Sequence, residues 1–361
     1  MPSFRTGTVV RLLAERAGLQ RVEVDLGAGS GGERAYVLTQ LTGTVRQGDR
    51  VVVNTTAVEL GLGTGGWHVV HWNLERDEWS ERGPGHIIKA RYTSLQADVG
   101  SAEEHATAEL ADVESIDGLP VVAAPLHSQV PAVAAALRNS VPDARIAYVM
   151  TDGAALPLAL SDLVADLKRA QLLDVTITCG HAFGGDFEAV SIYSALAVAK
   201  RLAAADVVIV AMGPGIVGTG TRLGFSGIEV AHVLDATAAL GGVPIACLRA
   251  SLVDPRERHR GVSHHTLTTL RMACRSRVLV ALPLVGGDAE QALRADLRES
   301  GIDERHEVVE IDGGDALDLL AAHGLSVTSM GRRAEADPIL FECAAAAGRV
   351  AAEHCRGFGG P

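Results

Sequence analysis

Seven strand-length apolar runs recur between residues 121 and 311, and alanine-rich helical stretches separate several of them. Uninterrupted apolar runs, as opposed to alternating ones, are typical of parallel strands that are buried on both faces of a sheet. Right-handed crossovers between such strands produce a doubly wound, mostly parallel, Rossmann-like α/β domain. The runs are 121–125, 145–150, 175–179, 206–212, 243–248, 277–284 and, more weakly, 307–311.

The first 95 residues follow a different pattern, with short β-type runs separated by glycine turns and no useful helical period. Several short strands at a spacing of about 8–12 residues predict a small all-β barrel or sandwich. The segment 43–54 is expected to form a strand, a turn at 47–49 and a second strand. The other runs are 8–13, 20–26, 34–41 and 66–74.

An acidic stretch separates the two patterns. No lysine or arginine lies between Arg91 and Arg138, and seven acidic residues lie between Asp98 and Asp117. Such a run is usually a linker or a solvated helix face. The chain of 361 residues is therefore expected to form two domains, 1–117 with the acidic linker and 118–361.

Composition narrows the classes of partner. The chain is 47% hydrophobic, which supports a sizeable core, and its net charge of −12 argues against nucleic acid as a partner. No apolar run approaches the length of a membrane helix, and the N-terminus lacks a signal-peptide core. Five scattered cysteines without a C-x-x-C pair fit a reducing cytoplasm. The expected partner is a small anionic ligand, and a homo-oligomer stays open.

The loops that follow the predicted strands carry the polar chemistry. Ligands of doubly wound sheets bind outside the carboxyl ends of the strands, so these loops are expected to converge on one site. Ser128 beside a histidine could form a nucleophile pair, but sequence neighbours rarely face each other and no G-x-S-x-G elbow is present. The acid/base candidates are His127, Asp152, His181, His264 and His265.

The loop after the fourth strand, Gly213-Pro-Gly-Ile-Val-Gly218, matches G-x-G-x-x-G. Three interpretations stay open: a nicotinamide or flavin site, a structural turn, or an anion cradle of backbone N–H groups. The dinucleotide interpretation is the weakest, because a helix is expected only near Ser226. The residues expected to hold an anion are Gly213, Gly215, Gly218, Thr219, Gly220, Thr221 and Arg249.

A histidine-rich stretch follows the fifth strand, and three arginines interleave with it. Ser263 is expected to cap a helix that begins with His264 and His265, whose rings the positive helix end keeps neutral. Adjacent helical residues point about 100° apart, and this geometry disfavours one metal ion bound by both rings. Metal binding, acid/base or anion contact, and a purely structural role all remain open.

Asp186 and Asp254 are candidates for holding a divalent cation, which prefers oxygen ligands. The alternative for Asp186 is a helix cap near Phe187. The cofactor is therefore unknown, with a divalent cation or a phosphate-bearing ligand as the two possibilities.

Four longer motifs occur in order: CGHAFGGDFEAV (179–190), MGPGIVGTGTRLGFSG (212–227), RHRGVSHHT (258–266) and SMGR (329–332). Together they resemble a bacterial, largely actinobacterial, family of unknown function over nearly the whole chain. The resemblance implies an unassigned activity and carries no catalytic residue.

Three functional hypotheses follow. The first is an enzyme that acts on a small anionic or phosphorylated metabolite at the carboxyl edge of the sheet. The second is a non-catalytic protein that senses such a ligand. The third is a dinucleotide-dependent oxidoreductase.

Overall fold

The computed structural model describes residues 2–27, 32–62 and 65–355. The chain divides into two compact units, Met1–Gly100 and Ser101–Pro361.

The N-terminal unit is a closed five-stranded barrel with the strand order β1-β2-β3-β5-β4. Neighbouring strands are antiparallel except β3 and β5, which are parallel. Its core is aliphatic, because alternate residues of each strand, such as Val22 and Val24, point inward. The strands are β1 (Phe4–Arg16), β2 (Leu19–Asp25), β3 (Glu33–Leu38), β4 (Arg50–Asn54) and β5 (His68–Asn73). The short helices α1 (Thr39–Thr42) and α2 (Thr56–Glu59) and the ribbon β6 (Ile88–Lys89) and β7 (Ala97–Asp98) complete the unit.

The expected strand immediately before the 47–49 turn is absent, although β4 after that turn is present. The amide of Val45 donates instead to the side-chain oxygen of Gln20, at 2.8 Å. A buried side-chain amide thus replaces a neighbouring strand as the hydrogen-bond partner of this segment.

The C-terminal unit contains the predicted α/β sheet. It has eight strands in the order β11-β10-β9-β12-β8-β13-β16-β17, and every neighbouring pair is parallel. The expected doubly wound, Rossmann-like class is confirmed. The strands are β8 (Pro120–Ala123), β9 (Ile146–Thr151), β10 (Val175–Cys179), β11 (Phe187–Ala189), β12 (Val207–Met212), β13 (Val243–Cys247), β16 (Leu279–Leu284) and β17 (Glu307–Asp312). Two small ribbons, β14 (Ala250–Ser251) with β15 (Gly261–Val262) and β18 (Thr328–Ser329) with β19 (Arg332–Arg333), lie outside it.

Helices cover both faces of this sheet. Successive residues of β8 and β9 pack into two different apolar cores, as expected for strands that are buried on both sides. One core contains α5 (Val130–Ser140), α6 (Asp162–Arg169), α12 (Ala316–Ala322) and most of α13 (Pro338–Glu353). The other contains α7 (Ile192–Arg201), α8 (Val230–Ala239), α10 (Gly287–Glu299) and α11 (Ile302–Arg305). The shorter helices are α3 (Ala102–His105), α4 (Thr107–Leu110) and α9 (His264–Thr268).

The acidic stretch 101–117, which the sequence places with the first domain, packs within the second unit. Ala102 and Ile116 are buried in the core that contains α7 and α8. The amide of Ile116 also donates to the carbonyl of Leu240, at 2.9 Å. The stretch therefore contributes apolar anchors to the sheet domain, while its acidic side chains give it the composition of a linker.

The winding opens a crevice at the carboxyl edge of the sheet. β8 lies between β12 and β13. The chain leaves β8 into α5 in one core and leaves β12 into α8 in the other. Connections that diverge to opposite faces leave space between them, and ligands of such folds bind there. Within the described ranges, no helix combines the length and the apolarity that a bilayer crossing requires.

Candidate functional site

The glycine-rich loop after β12 closes on itself. Gly218 forms a bridge with Phe225. The amide of Thr219 donates to the carbonyl of Gly224, at 2.8 Å. Gly215 has a φ of +103°, a conformation that residues with a side chain rarely adopt. These features hold the middle of the loop as a compact projection at the edge of the sheet.

No helix begins inside the G-x-G-x-x-G stretch. A 3₁₀ turn spans Ser226–Glu229, and α8 starts at Val230, so the helix begins well after Gly218. A dinucleotide site needs the helix N-terminus within the motif, where its N–H groups hold the pyrophosphate. The loop therefore lacks the feature that would make it a nicotinamide or flavin fingerprint.

Arg249 follows β13 and is fixed against the start of α9. Its carbonyl accepts a hydrogen bond from the amide of Ser263, at 2.8 Å, and its amide donates to Oγ1 of Thr266, at 3.2 Å. The ribbon of β14 and β15 then closes the base of an excursion, residues 252–260, that carries three further arginines and a histidine. These few backbone contacts bring Arg256 and Arg258 to the same cavity as Arg249.

Helix α9 begins as the sequence predicts. Ser263 is its N-cap and accepts a hydrogen bond from the amide of His265, while His264 is the first helical residue. Nδ1 of His259 lies 2.7 Å from the Ser263 hydroxyl oxygen. The ring of Phe225 stacks on that of His265, with centroids 3.9 Å apart and planes within 3°. The cap and the stack together fix the orientation of the histidine rings.

These segments enclose a cavity of about 170 Å³, hereafter the arginine–histidine pocket. Four of the predicted residues, Gly218, Thr219, Arg249 and His265, line it together. A Cβ atom on Gly218 would lie 3.1 Å from Cε1 of His265, so a glycine allows this close approach. The remaining lining residues are Ile216, Val217, Arg256, Arg258, His259 and Met330.

The positive charge of Arg249 is buried without a counterion. Its residue is only 6% exposed, and no carboxylate among the described residues lies within 4 Å of it. Asp254, the nearby acid, is occupied by a bidentate contact with Arg256 and a further contact with Arg332. Burial and the neighbouring Arg256 lower the pKa of Arg249 to about 10, so it stays cationic at neutral pH.

The contact between Arg249 and His265 determines the tautomer of the histidine. Nη1 of Arg249 lies 3.0 Å from Nδ1 of His265. A guanidinium can only donate, so Nδ1 is the acceptor and the proton of the neutral ring is on Nε2. Burial and the charge of Arg249 lower the pKa of His265 to about 3. Nε2–H is then a buried donor, and the described residues offer it no acceptor.

Three imidazoles meet the first requirement of a metal site. One ring nitrogen from each of His259, His264 and His265 lies within 4.8 Å of the others. Their number and type suit a transition metal. However, a His265 ring that accepts at Nδ1 has no lone pair on Nε2, and Arg249, Arg256 and Arg258 repel a cation. In this arrangement the cluster suits an anion better than a metal ion.

The two aspartates expected to hold a metal are engaged elsewhere. Both carboxylate oxygens of Asp254 are hydrogen-bonded by guanidinium groups, chiefly that of Arg256, which holds its pKa far below the usual range. Asp186 bonds Lys168 and the amide of Thr176, next to the start of β10 and thus at the opposite edge of the sheet. The proposed helix cap for Asp186 is also wrong, because β11 begins at the next residue.

His127 lines a neighbouring cavity of about 340 Å³, together with Gly213 and Gly215. Its Nδ1 lies 3.2 Å from the carbonyl of Met212, and its Nε2 lies 2.7 Å from the hydroxyl of Ser161. Burial lowers the pKa of His127 to about 4. Since both ring nitrogens have protein partners, the ring is fixed in orientation, and it lines this cavity in its neutral form. Ile216 and Met330 line both this cavity and the arginine–histidine pocket.

Asp152 and His181 lie together but do not line the arginine–histidine pocket. The carboxylate of Asp152 accepts the backbone amide of His181, at 3.0 Å. Beside them, Thr151 donates to Glu229, a residue the sequence did not suggest. Burial, together with the charge of Asp152, raises the pKa of Glu229 to about 7. A carboxyl group that titrates near neutrality is an acid/base candidate in its own right.

The remaining loop residues occupy other positions. The hydroxyl groups of Thr219 and Thr221 are 2.8 Å apart, and Thr221 also accepts the amide of Gly224. Thr221 therefore braces the loop. Gly220 and His264 line a second hollow, to which Arg258 also contributes.

Comparison with known proteins bears on the whole of this region. The sequence model of a family described as "Protein of unknown function (DUF3866)" matches residues 34–348. The chain belongs to this family. The DUF3866 match covers every residue of the arginine–histidine pocket, and the expected membership of an unknown-function family is confirmed. No curated protein matches the chain.

Sequence patterns missed several residues that define this DUF3866 site. Arg256 and Arg258 belong to the arginines that interleave with the histidines, but nothing in their spacing predicts that they line the same cavity as Thr219. Met330, at the turn of the β18–β19 ribbon, carries no chemical signal. Glu229 precedes a helix, where an acidic residue is ordinary.

Proposed function

We propose that the arginine–histidine pocket binds a small anionic or phosphorylated metabolite, and that this DUF3866 protein is an enzyme acting on it. The observation that carries the proposal is Arg249, a buried cation whose hydrogen-bonding partner is a neutral histidine and not a carboxylate. We place the activity in the cytoplasm, where the five buried free cysteines would stay reduced.

A bound anion would offset the cost of burying this charge. Removing a guanidinium from water without a counterion is unfavourable, and an oxyanion supplies charge-assisted hydrogen bonds in return. Nε2–H of His265 and the guanidinium of Arg258 would add donors on neighbouring walls. Arg258 is exposed and has no ion-pair partner among the described side chains, so its charge is available.

The attraction is local to the pocket. Residues 101–361 contain 21 Lys+Arg and 33 Asp+Glu, so the unit as a whole repels anions. The lining of the pocket, in contrast, includes three arginines and no acid. Such a distribution favours a small ligand that enters the pocket over a polyanion such as nucleic acid, which binds through an extended basic surface.

The histidines give the pocket a means of proton transfer. Burial, followed by Arg249, lowers the pKa of His259 to about 4, so its ring is neutral at physiological pH. An anion bound beside the ring favours the protonated form and raises this pKa. His259 would therefore gain acid/base capacity when the ligand is present, while His265, whose Nδ1 accepts from Arg249, serves as a hydrogen-bond donor.

Calorimetric titration with inorganic phosphate tests the proposal. Arg258→Gln should weaken phosphate binding about tenfold, since one charge-assisted hydrogen bond is lost. Arg275→Gln is the matched control, because Arg275 is an exposed arginine in the loop that enters β16, at the opposite edge of the sheet. Equal phosphate affinity in Arg258→Gln and the wild type, or no binding by the wild type, would overturn the proposal.

Two further measurements distinguish the proposed enzyme from a ligand sensor and from an oxidoreductase. A sensor should bind its anion and return it unchanged after prolonged incubation. An oxidoreductase should be stabilised by a nicotinamide or flavin dinucleotide in a thermal-shift assay, by RT ln(1 + [L]/Kd). We expect stabilisation by inorganic phosphate and by phosphate monoesters, and none by the dinucleotides.

A further inference from the structure

The arginine–histidine pocket has a basic neighbour. A second hollow of about 390 Å³ shares Arg258 with it as a lining residue. We call it the distal hollow. Arg222 from the glycine loop and Arg271 from the turn after α9 line it, together with His264 and Gly220. The same glycine loop thus contributes Thr219 to one cavity and Arg222 to the other.

No acidic side chain lines either cavity. Arg222 and Arg271 are exposed, and within the described ranges their guanidinium groups have no carboxylate partner. Five arginines consequently face two adjoining cavities in a unit that is acidic overall. Only Arg256 among them is neutralised, by Asp254. Like charges this close repel one another, and a ligand with two anionic groups would relieve that repulsion.

Two histidines indicate that the five arginines of these cavities face a ligand and not only solvent. His265 is 5% exposed and lines the arginine–histidine pocket, and its buried Nε2 has no partner among the described residues. Nε2 of His264, which lines the distal hollow, is likewise buried without one. The two rings come from adjacent residues, with centroids 4.3 Å apart. Each cavity therefore receives one imidazole from the first turn of α9.

From this we infer that the ligand carries two separate phosphoryl groups, one in the arginine–histidine pocket and one in the distal hollow, with Arg258 between them. The inference rests on the proposed function and names its ligand class as a bisphosphorylated small molecule. Joining two anionic groups makes the second contact intramolecular, so such a ligand should bind far more tightly than phosphate alone. Its affinity should also depend on the spacing of the two groups.

Calorimetry on the full chain can separate the two cavities. The probes are inorganic phosphate, pyrophosphate and a series of alkane-α,ω-diyl bisphosphates of increasing length. Arg271→Gln alters only the distal hollow and should weaken the best bisphosphate about tenfold, while phosphate affinity stays within about twofold of the wild type. Arg222→Gln should behave in the same way, and Arg275→Gln should change neither affinity. Arg271→Gln and Arg222→Gln replace exposed side chains, so both variants are expected to retain the fold.

The outcomes distinguish the inference from the proposed function. If phosphate binds and Arg258→Gln weakens it, but no bisphosphate binds better than phosphate, the two-group inference is wrong and the proposed function stands. If a bisphosphate binds tightly but Arg271→Gln and Arg222→Gln leave it unchanged, the distal hollow is not its site and the inference again fails. Absence of binding by every probe would refute both.

Discussion

Replacement of Glu229 by glutamine should remove a pH dependence from the stability of the α/β unit. Glu229 is largely buried where the 3₁₀ turn 226–229 leads into α8, and Thr151 donates to its carboxyl group. A Cβ atom on Gly153 would lie 2.4 Å from one of its oxygens, so the backbone packs closely against it. Burial is the main reason that its pKa rises to about 7, from a usual value of 4.5.

The sign and size of the effect follow from this shift. Between its unfolded and folded pKa values the carboxyl is ionised in the unfolded chain and neutral in the folded one, so rising pH favours unfolding. The contribution to stability is fully present below about pH 4.5 and lost as the pH rises to about 7. A pKa that rises from 4.5 to about 7 on folding corresponds to roughly 3 kcal/mol. Between about pH 5 and pH 8 the loss is roughly 2.5 kcal/mol.

Urea unfolding of the wild type and of Glu229→Gln at these two pH values measures the difference. The free energy of unfolding of the variant, relative to the wild type, should increase by about 2 kcal/mol or more from the lower to the higher pH. Any constant effect of the amide cancels in this comparison. Glu307→Gln, at an exposed position of β17, is the control and should show no such change. If the difference in free energy of unfolding between Glu229→Gln and the wild type is the same at both pH values, the conclusion that the buried carboxyl group of Glu229 is neutral at the lower pH is wrong.

Three other substitutions or fragments test separate features. Gly218→Ala should weaken phosphate binding in calorimetry, because the new methyl group reaches His265, whereas Gly220→Ala in the same loop meets open space and should not. Ser263→Ala should lower the free energy of unfolding in urea by about 1 kcal/mol, as the N-cap of α9 is lost. A fragment that begins at Ser101 should give a folded circular dichroism spectrum and unfold at higher urea than one that begins at Leu119, which lacks buried Ile116. Equal midpoints would place the domain boundary near 118 after all.

The main strands of the large sheet could be predicted because their information is local. A run such as 206–212 is apolar throughout and can be buried only between two layers, and it forms β12. β11 was not predicted, since it has three residues and joins the sheet through pairing with β10. That pairing explains why Asp186 lies at the wrong edge for a shared site. The prediction of a strand before 47–49 was wrong for a similar reason. The amide of Val45 donates to the buried side chain of Gln20 and not to a neighbouring strand.

The candidate site was predictable only where a rule of topology applied. Parallel strands end at one edge of the sheet, which predicts that the glycine loop, Arg249 and His265 lie close together. All three line the same pocket. The rule could not show how far each loop extends, and Asp152 and His181 do not line this pocket. The raised pKa of Glu229 depends on burial by the folded chain, which no local pattern encodes.

The ribbon of β14 and β15 holds the two ends of the excursion 252–260 together, so that this segment can be exchanged as a unit. Its two ends are joined by strand pairing of Ala250 with Val262 and Ser251 with Gly261, so they lie side by side whatever sequence connects them. Exchange of the intervening residues other than His259, whose Nδ1 lies 2.7 Å from the Ser263 hydroxyl oxygen, would change the charges that face the glycine loop without altering the sheet or the cap of α9. Natural variation and protein engineering could therefore retune ligand choice here by swapping one short segment, much as antibodies vary loops on a constant framework.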